Sequence, residues 1–341
     1  MQIHTTDQQI GRTIFTGGRE CLFFSGYAYL GMGHVPEYME LVKEGLNKYG
    51  LSFPSARISN TRLELFARFE QLLSVITGTE DSICFASGFT SGQVATKLWS
   101  DQIYNAPASH PAISRTDKPA MSFSEWAASI QPNDERLRGK ILAADTVNIL
   151  KADLHDFSFL EKMSEPQTCI IDDSHGFCVI GNNGQGVHDY LPPHHHYILA
   201  YSLSKGANLV GGAISGPKAL VDQFRTSPDY AASTSIAPAY MHAFIHGQHL
   251  YARQRELLKA NIQWLQDQLR DVPGVRFHAE LPMFILPSTI NEEQLFEKNI
   301  VISSFAYPDP TGPKIQRAVV NALHTKDDLL LLAQAIRKMV A

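Results

Sequence analysis

Two uninterrupted apolar runs limit the fold most strongly. Cys169-Ile170-Ile171 and Tyr197-Ile198-Leu199-Ala200-Tyr201 lack the polar alternation of a strand with one wet face, so each predicts a strand buried on both sides. Ser82 to Phe85 reads the same way. Helical patterns lie between such runs. Residues 35–49 place Pro36 in a first turn and Gly50 after the last, with Met39, Val42 and Leu46 on the apolar face. Residues 62–77 repeat apolar positions at helical spacing and stop at Gly78. One long helix is expected from about 241 to 269, carrying Phe244, Leu257, Leu258, Ile262, Trp264, Leu265 and Leu269. Short strand candidates follow at 275–278, 283–286 and 300–305. A last helix is capped by Thr325 and Asp328, with Leu329, Leu332, Ala333, Ile336 and Val340 inward.

Alternation of strands and helices gives an α/β class. A chain of 341 residues exceeds one compact domain. The expected division is a large domain over 51–240 and a smaller one over 241–341, with residues 1–50 packing against the smaller. No stretch approaches the ~20 apolar residues of a membrane span. A net charge of -5 without a basic run offers nothing to nucleic acid or an anionic membrane. The first residues show no basic segment followed by an apolar one, and Cys21, Cys84, Cys169 and Cys178 have no CxxC spacing. Both point to a cytoplasmic, reducing location. Small-molecule chemistry is the expectation that remains.

Three strand endings carry that chemistry. Tyr201-Ser202-Leu203-Ser204-Lys205-Gly206 ends a buried strand in hydroxyls and one lysine. A lysine so placed can be desolvated, which lowers its pKa and makes its amine a nucleophile toward an aldehyde; a solvated loop lysine is the ordinary alternative. Ile171-Asp172-Asp173-Ser174-His175 ends another strand in carboxylates and an imidazole. Pyridoxal phosphate needs its ring nitrogen kept protonated, which a buried carboxylate does. Successive side chains of a strand diverge, so only one of Asp172 and Asp173 can serve; the other suits a turn cap. Ala86-Ser87-Gly88-Phe89-Thr90 takes a strand into a helix, whose free N–H groups suit a phosphate dianion.

With these endings go Tyr29-Leu30-Gly31, Gly181-Asn182-Asn183-Gly184-Gln185-Gly186, Val210-Gly211-Gly212, Ser233-Thr234-Ser235 and Ala322-Leu323-His324-Thr325. In this order they resemble the α-oxoamine synthase family of pyridoxal-phosphate enzymes, from Gly18 to the C-terminus. The resemblance implies a fold-type-I transferase. Its large domain would have a mostly parallel seven-stranded sheet flanked by helices, followed by a smaller α+β C-terminal domain. It also implies that Lys205 holds the cofactor as a Schiff base, that Asp172 pairs with the pyridine nitrogen, and that His175 bonds the phenolic oxygen. His110 would stack on the ring. Ser87, Gly88, Phe89 and Ser202 would cradle the phosphate, and Ser233 or Thr234 would reach it across a homodimer interface. Arg317 would bind the substrate carboxylate, for which its planar fork is suited. The implied reaction condenses a small amino acid with an acyl-CoA, with loss of carbon dioxide, to an α-amino ketone. An aminotransferase and a non-catalytic cofactor-binding relative are the alternatives.

The sequence departs from the family at several positions. Tyr27 stands where an asparagine helps to hold the substrate carboxylate, Phe66 replaces a histidine, and Ile149 replaces a serine near the cofactor. The segment from His110 to Asp145 lacks a His-Asn-Asp signature, and the N-terminus is abbreviated. Gly181 to Gly186 has no following Gly-Lys-Ser/Thr and reads as a tight turn rather than a nucleotide loop. His194-His195-His196 cannot converge on one ion from a strand, so no metal is expected there.

Overall fold

The computed structural model describes residues 3–307, 311, 312 and 314–340. Two compact units divide the chain. The larger comprises residues 36–147 and 154–248, the smaller residues 1–35, 148–153 and 249–341. The breaks at 35/36 and 248/249 differ from the boundaries expected at 50/51 and 240/241. The helix Pro36–Tyr49 belongs to the larger unit because Gly45 lies directly on Ala239: a Cβ there would come within 2.7 Å of the Ala239 Cα.

In the larger unit six strands form one sheet in the order Asp81–Phe85, Gly212–Gly216, His196–Ser202, Thr168–Asp172, Ile141–Asp145 and Ile103–Asn105. Gly212–Gly216 runs antiparallel to both neighbours, and the remaining pairs are parallel. Seven strands were expected; among the described residues there are six. Pro107, Pro111, Pro119 and Pro132 occupy the stretch between the strands Ile103–Asn105 and Ile141–Asp145. Without N–H groups they cannot join a central ladder, and a short helix, Phe123–Ser129, stands there instead. Ile83, Ile103, Ile141, Ile170, Ile198 and Ile214 build the core on one face of the sheet.

The helix Pro36–Tyr49 buries Tyr38, Val42 and Gly45, whereas Met39 and Leu46 lie on its exposed side. The apolar face is therefore rotated from the expected one, because close helix packing chose the glycine. The long helix expected from 241 is two, Pro238–His246 and Gln248–Leu269, broken at Gly247. A Cβ on Gly247 would meet the Ala243 carbonyl at 2.7 Å and the Tyr38 ring at 3.0 Å. Leu257 is exposed, while Leu258, Ile262, Leu265 and Leu269 are buried as expected.

The smaller unit holds a second six-stranded sheet, ordered Thr13–Thr16, Arg19–Phe24, Ile300–Ala306, Lys314–Val319, Met283–Ile285 and Arg276–Phe277. Its first two strands escaped the sequence reading, since Thr, Arg and Glu interrupt their apolar pattern. The final helix, Lys326–Val340, starts with the expected reciprocal cap: the Thr325 N–H donates to the Asp328 carboxylate at 2.8 Å and the Asp328 N–H to Thr325 Oγ1 at 3.3 Å. No helix among the described residues is long and apolar enough to cross a membrane.

Candidate active site

Parallel strands deliver their carboxyl ends to one edge of the larger unit's sheet, where open α/β sheets hold their ligands. Asp145 and Asp172 end adjacent strands and lie directly opposite one another. Ser202 ends the next strand, and Gly212 pairs with both Ser202 and Phe85. Everything polar on this edge follows from where buried apolar runs stop.

Asp172 and Asp173 diverge as strand geometry requires. Asp172 is half-buried and accepts the Ser174 N–H at 2.9 Å. Asp173 is buried, accepting from Thr146 Oγ1 at 2.9 Å and the Val187 N–H at 3.1 Å. Burial pushes its carboxyl up to about 7 despite those bonds. A Cβ on Gly186 would collide with this carboxyl. Gly181, Gly184 and Gly186, all at positive φ, thus form the tight turn that closes over Asp173, which leaves Asp172 for chemistry.

Lys205 is half-buried in the turn after Ser202, its carbonyl accepting the Asn208 N–H at 3.2 Å. It lies close enough to Asp145 and His110 to act on the charge of both. His110 is half-buried, and its Nδ1 accepts the Ala112 N–H at 3.1 Å. Burial lowers the pKa of this imidazole, opposed by Asp172 and assisted by Lys205 and Lys118. His110 is accordingly a neutral ring whose Nε2 carries the proton. The structure therefore brings Lys205, Asp172 and His110 into one electrostatic cluster. His175 is half-buried in the turn that follows Asp172.

The helix Gly88–Lys97 starts on the same edge. Ser87 is its cap, accepting the Thr90 N–H at 3.0 Å. A Cβ on Gly88 would come within 2.6 Å of the Ser202 Cα, so the helix start rests on the end of the strand His196–Ser202. Ser202 Oγ and Ser204 Oγ share a hydrogen bond of 2.7 Å. Phe89 is 55% exposed. Ser233 and Thr234 line a separate depression of about 270 Å³ with Phe53, Ser55 and Arg57.

Arg317 and Tyr27 belong to the smaller unit. Arg317 lies opposite Ser303 in its sheet, and its Nη1 donates to the Ile149 carbonyl at 3.2 Å. Its Nε is buried and has no hydrogen-bond partner among the described residues. Burial lowers the guanidinium pKa, with Tyr29 and Tyr307 opposing. Ile149, the departure from the family's serine, thus contributes a carbonyl. Tyr27 is 53% exposed.

Asp145 was not singled out from the sequence. Its carboxylate accepts the His110 N–H through both oxygens, each at 3.1 Å. Burial first, and then Asp172, raise its pKa well above the carboxylate range. The available signal was a third apolar run ending in an acid, Ile141-Leu142-Ala143-Ala144-Asp145.

Residues 140–336, more than half of the chain, match the family described as aminotransferase class I and II. An 8-amino-7-oxononanoate synthase of Thermosipho melanesiensis is 24% identical, over 99% of this chain and 93% of that protein. A serine palmitoyltransferase of Bacteroides ovatus is also 24% identical, over 97% and 89%. Among solved structures, serine palmitoyltransferase of Sphingomonas wittichii superposes with a TM-score of 0.78 at 17% identity, covering 98% of this chain and 91% of that one. A serine palmitoyltransferase from S. paucimobilis, solved with PLP bound, gives 0.79 at 17% identity, over 99% and 92%.

Proposed function

The chain belongs to the aminotransferase class I and II family and is a pyridoxal-phosphate-dependent transferase, and from that premise we propose that it joins a small amino acid to an acyl-CoA, with decarboxylation, to give an α-amino ketone. The observation that supports this most is the clustering of Lys205, Asp172 and His110 on the carboxyl edge of one sheet.

The residues present fit the cofactor. The Gly88 backbone lies where a Cβ would strike Ser202, so N–H groups and the Ser87, Thr90 and Ser202 hydroxyls can approach a phosphate closely. Asp172 would hold a proton at the ring nitrogen, His175 would bond the phenolic oxygen, and neutral His110 would rest on the ring. Bound there, pyridoxal phosphate supplies an electron sink for negative charge at the substrate α-carbon. Lys205 would hold the cofactor through its amine, and the same amine would serve as general base for the substrate α-proton. Arg317 would bind the amino-acid carboxylate, and its Nε, without a partner among the described residues, supports that assignment. In a homodimer Ser233 or Thr234 would reach the phosphate of the partner's site.

The test supplies small amino acids with acyl-CoAs of graded length and follows thiol release. Turnover with at least one pair is expected, with loss of turnover and of near-visible absorption in Lys205→Ala. No thiol release with any pair sinks the acyl-transfer reading. Formation of a keto acid without CoA would replace it by transamination, for which Tyr27 in place of the family's asparagine is the motive.

A further inference from the structure

The turn that carries His110 is held from the neighbouring strand Ile141–Asp145. The Ala106 N–H donates to the Ala143 carbonyl at 2.9 Å, and Ser109 Oγ donates to the same oxygen at 3.2 Å. Ala108, inside the turn, takes a left-handed φ of 59°, a strained conformation for a residue with a Cβ. The bond that ends the turn is the forked one from the His110 N–H to the Asp145 carboxyl, and the next constraint, Ala112 N–H to His110 Nδ1, fixes the ring plane. Asp145 also stands directly beside Asp172 on the adjoining strand.

We infer that Asp145 is a positioning residue of the cofactor site, which fixes the His110 imidazole through its backbone N–H. The inference rests on the cofactor reading above. Lys205, Lys118 and His110 face Asp145 along with Asp172, and His155 Nδ1 lies 2.8 Å from its carbonyl. Burial first, and then Asp172, push the Asp145 carboxyl toward its protonated form. A neutral carboxyl still accepts from an N–H, so an amide of the same shape should replace it.

The experiment compares the full-length protein with Asp145→Ala, Asp145→Asn, His110→Ala and the Asp145→Ala/His110→Ala pair. The readouts are pyridoxal-phosphate affinity of cofactor-depleted protein and the circular-dichroism band that the bound cofactor acquires, with melting of the depleted protein as folding control. Asp145→Ala should lose roughly tenfold in affinity and flatten the band. Asp145→Asn should stay within about threefold of wild type, and the pair should bind no more weakly than His110→Ala alone. If Asp145→Ala melts well below wild type, Asp145→Ser, too short to reach the His110 N–H, takes its place. Wild-type behaviour of the alanine variant, an asparagine variant as weak as alanine, or additive losses would each overturn the inference. Failure of the wild type itself to bind the cofactor would sink the cofactor reading and this inference with it, a result distinct from all three.

Discussion

His324, half of the His-Thr pair, is buried in the smaller unit, stacked on Phe24 at 4.1 Å, with Nε2 3.2 Å from the Phe23 carbonyl and Nδ1 accepting the Asn321 N–H at 3.0 Å. Burial lowers its pKa from 6.5 to about 4, with Asp328 opposing. The unfolded chain then takes up a proton near 6.5 and the folded one only near 4. Stability from this group is complete above the higher value, falls as pH descends between the two, and is level below; the loss amounts to roughly 3 kcal/mol. Urea denaturation of wild type and His324→Asn across pH 4 to 8 isolates the effect as a difference: about 1–2 kcal/mol at high pH, shrinking or reversing in acid. A difference independent of pH would refute it. His324 came from the sequence as part of a motif and turned out to be a packing residue; Asp172 came as a strand ending and is one, while Lys205 lies in the turn three residues beyond the end of its strand. Single residues were legible where a local period placed them. Asp145 was not, because its meaning lies in a neighbour thirty-five residues earlier in the chain.

An element is legible when its own period decides its burial. The strands Thr168–Asp172 and His196–Ser202 and the helix Glu64–Thr77 met that condition. The rotated face of Pro36–Tyr49 and the break at Gly247 did not, since both are set by close contacts between helices far apart in sequence. The helix Gly88–Lys97 offers a test in which local and tertiary effects have opposite signs. Alanine exceeds glycine in helix propensity by up to about 1 kcal/mol, which alone would make Gly88→Ala stabilising. Its Cβ, however, would lie within 2.6 Å of the Ser202 Cα and 2.8 Å of Ser202 Oγ, and the helix start must lift off the strand. The expected outcome is a net loss of about 1–3 kcal/mol by thermal melting, together with weakened cofactor binding by titration. A variant as stable as wild type would mean that the helix start does not press on Ser202.

At the scale of the whole molecule, the α/β class was legible from alternation, whereas the composition of the two units was not. Residues 148–153 join the smaller unit from the middle of the larger one's sequence, and no local signal marks such an excursion. The family match covers both units in part, and the expected homodimer belongs to the same scale. Single-chain exposure gives it physical content. Phe89 is 55% exposed beside the Gly88 helix start, Val210 is 64% exposed beside Gly211, and Leu51 and Ile58 are 79% and 55% exposed, all in the larger unit. Large apolar side chains left in water cost about 1.5–3 kcal/mol each relative to burial, and covering several by a second copy is the ordinary remedy. Sedimentation should therefore give twice the 37.9 kDa of one chain at micromolar concentration. Phe89→Asp with Val210→Asp should shift it to one chain and weaken cofactor binding in step, because Ser233 or Thr234 would then be missing from each phosphate site. A wild-type chain that sediments alone and still holds its cofactor would show that one copy completes the site, and the exposed side chains would need another explanation.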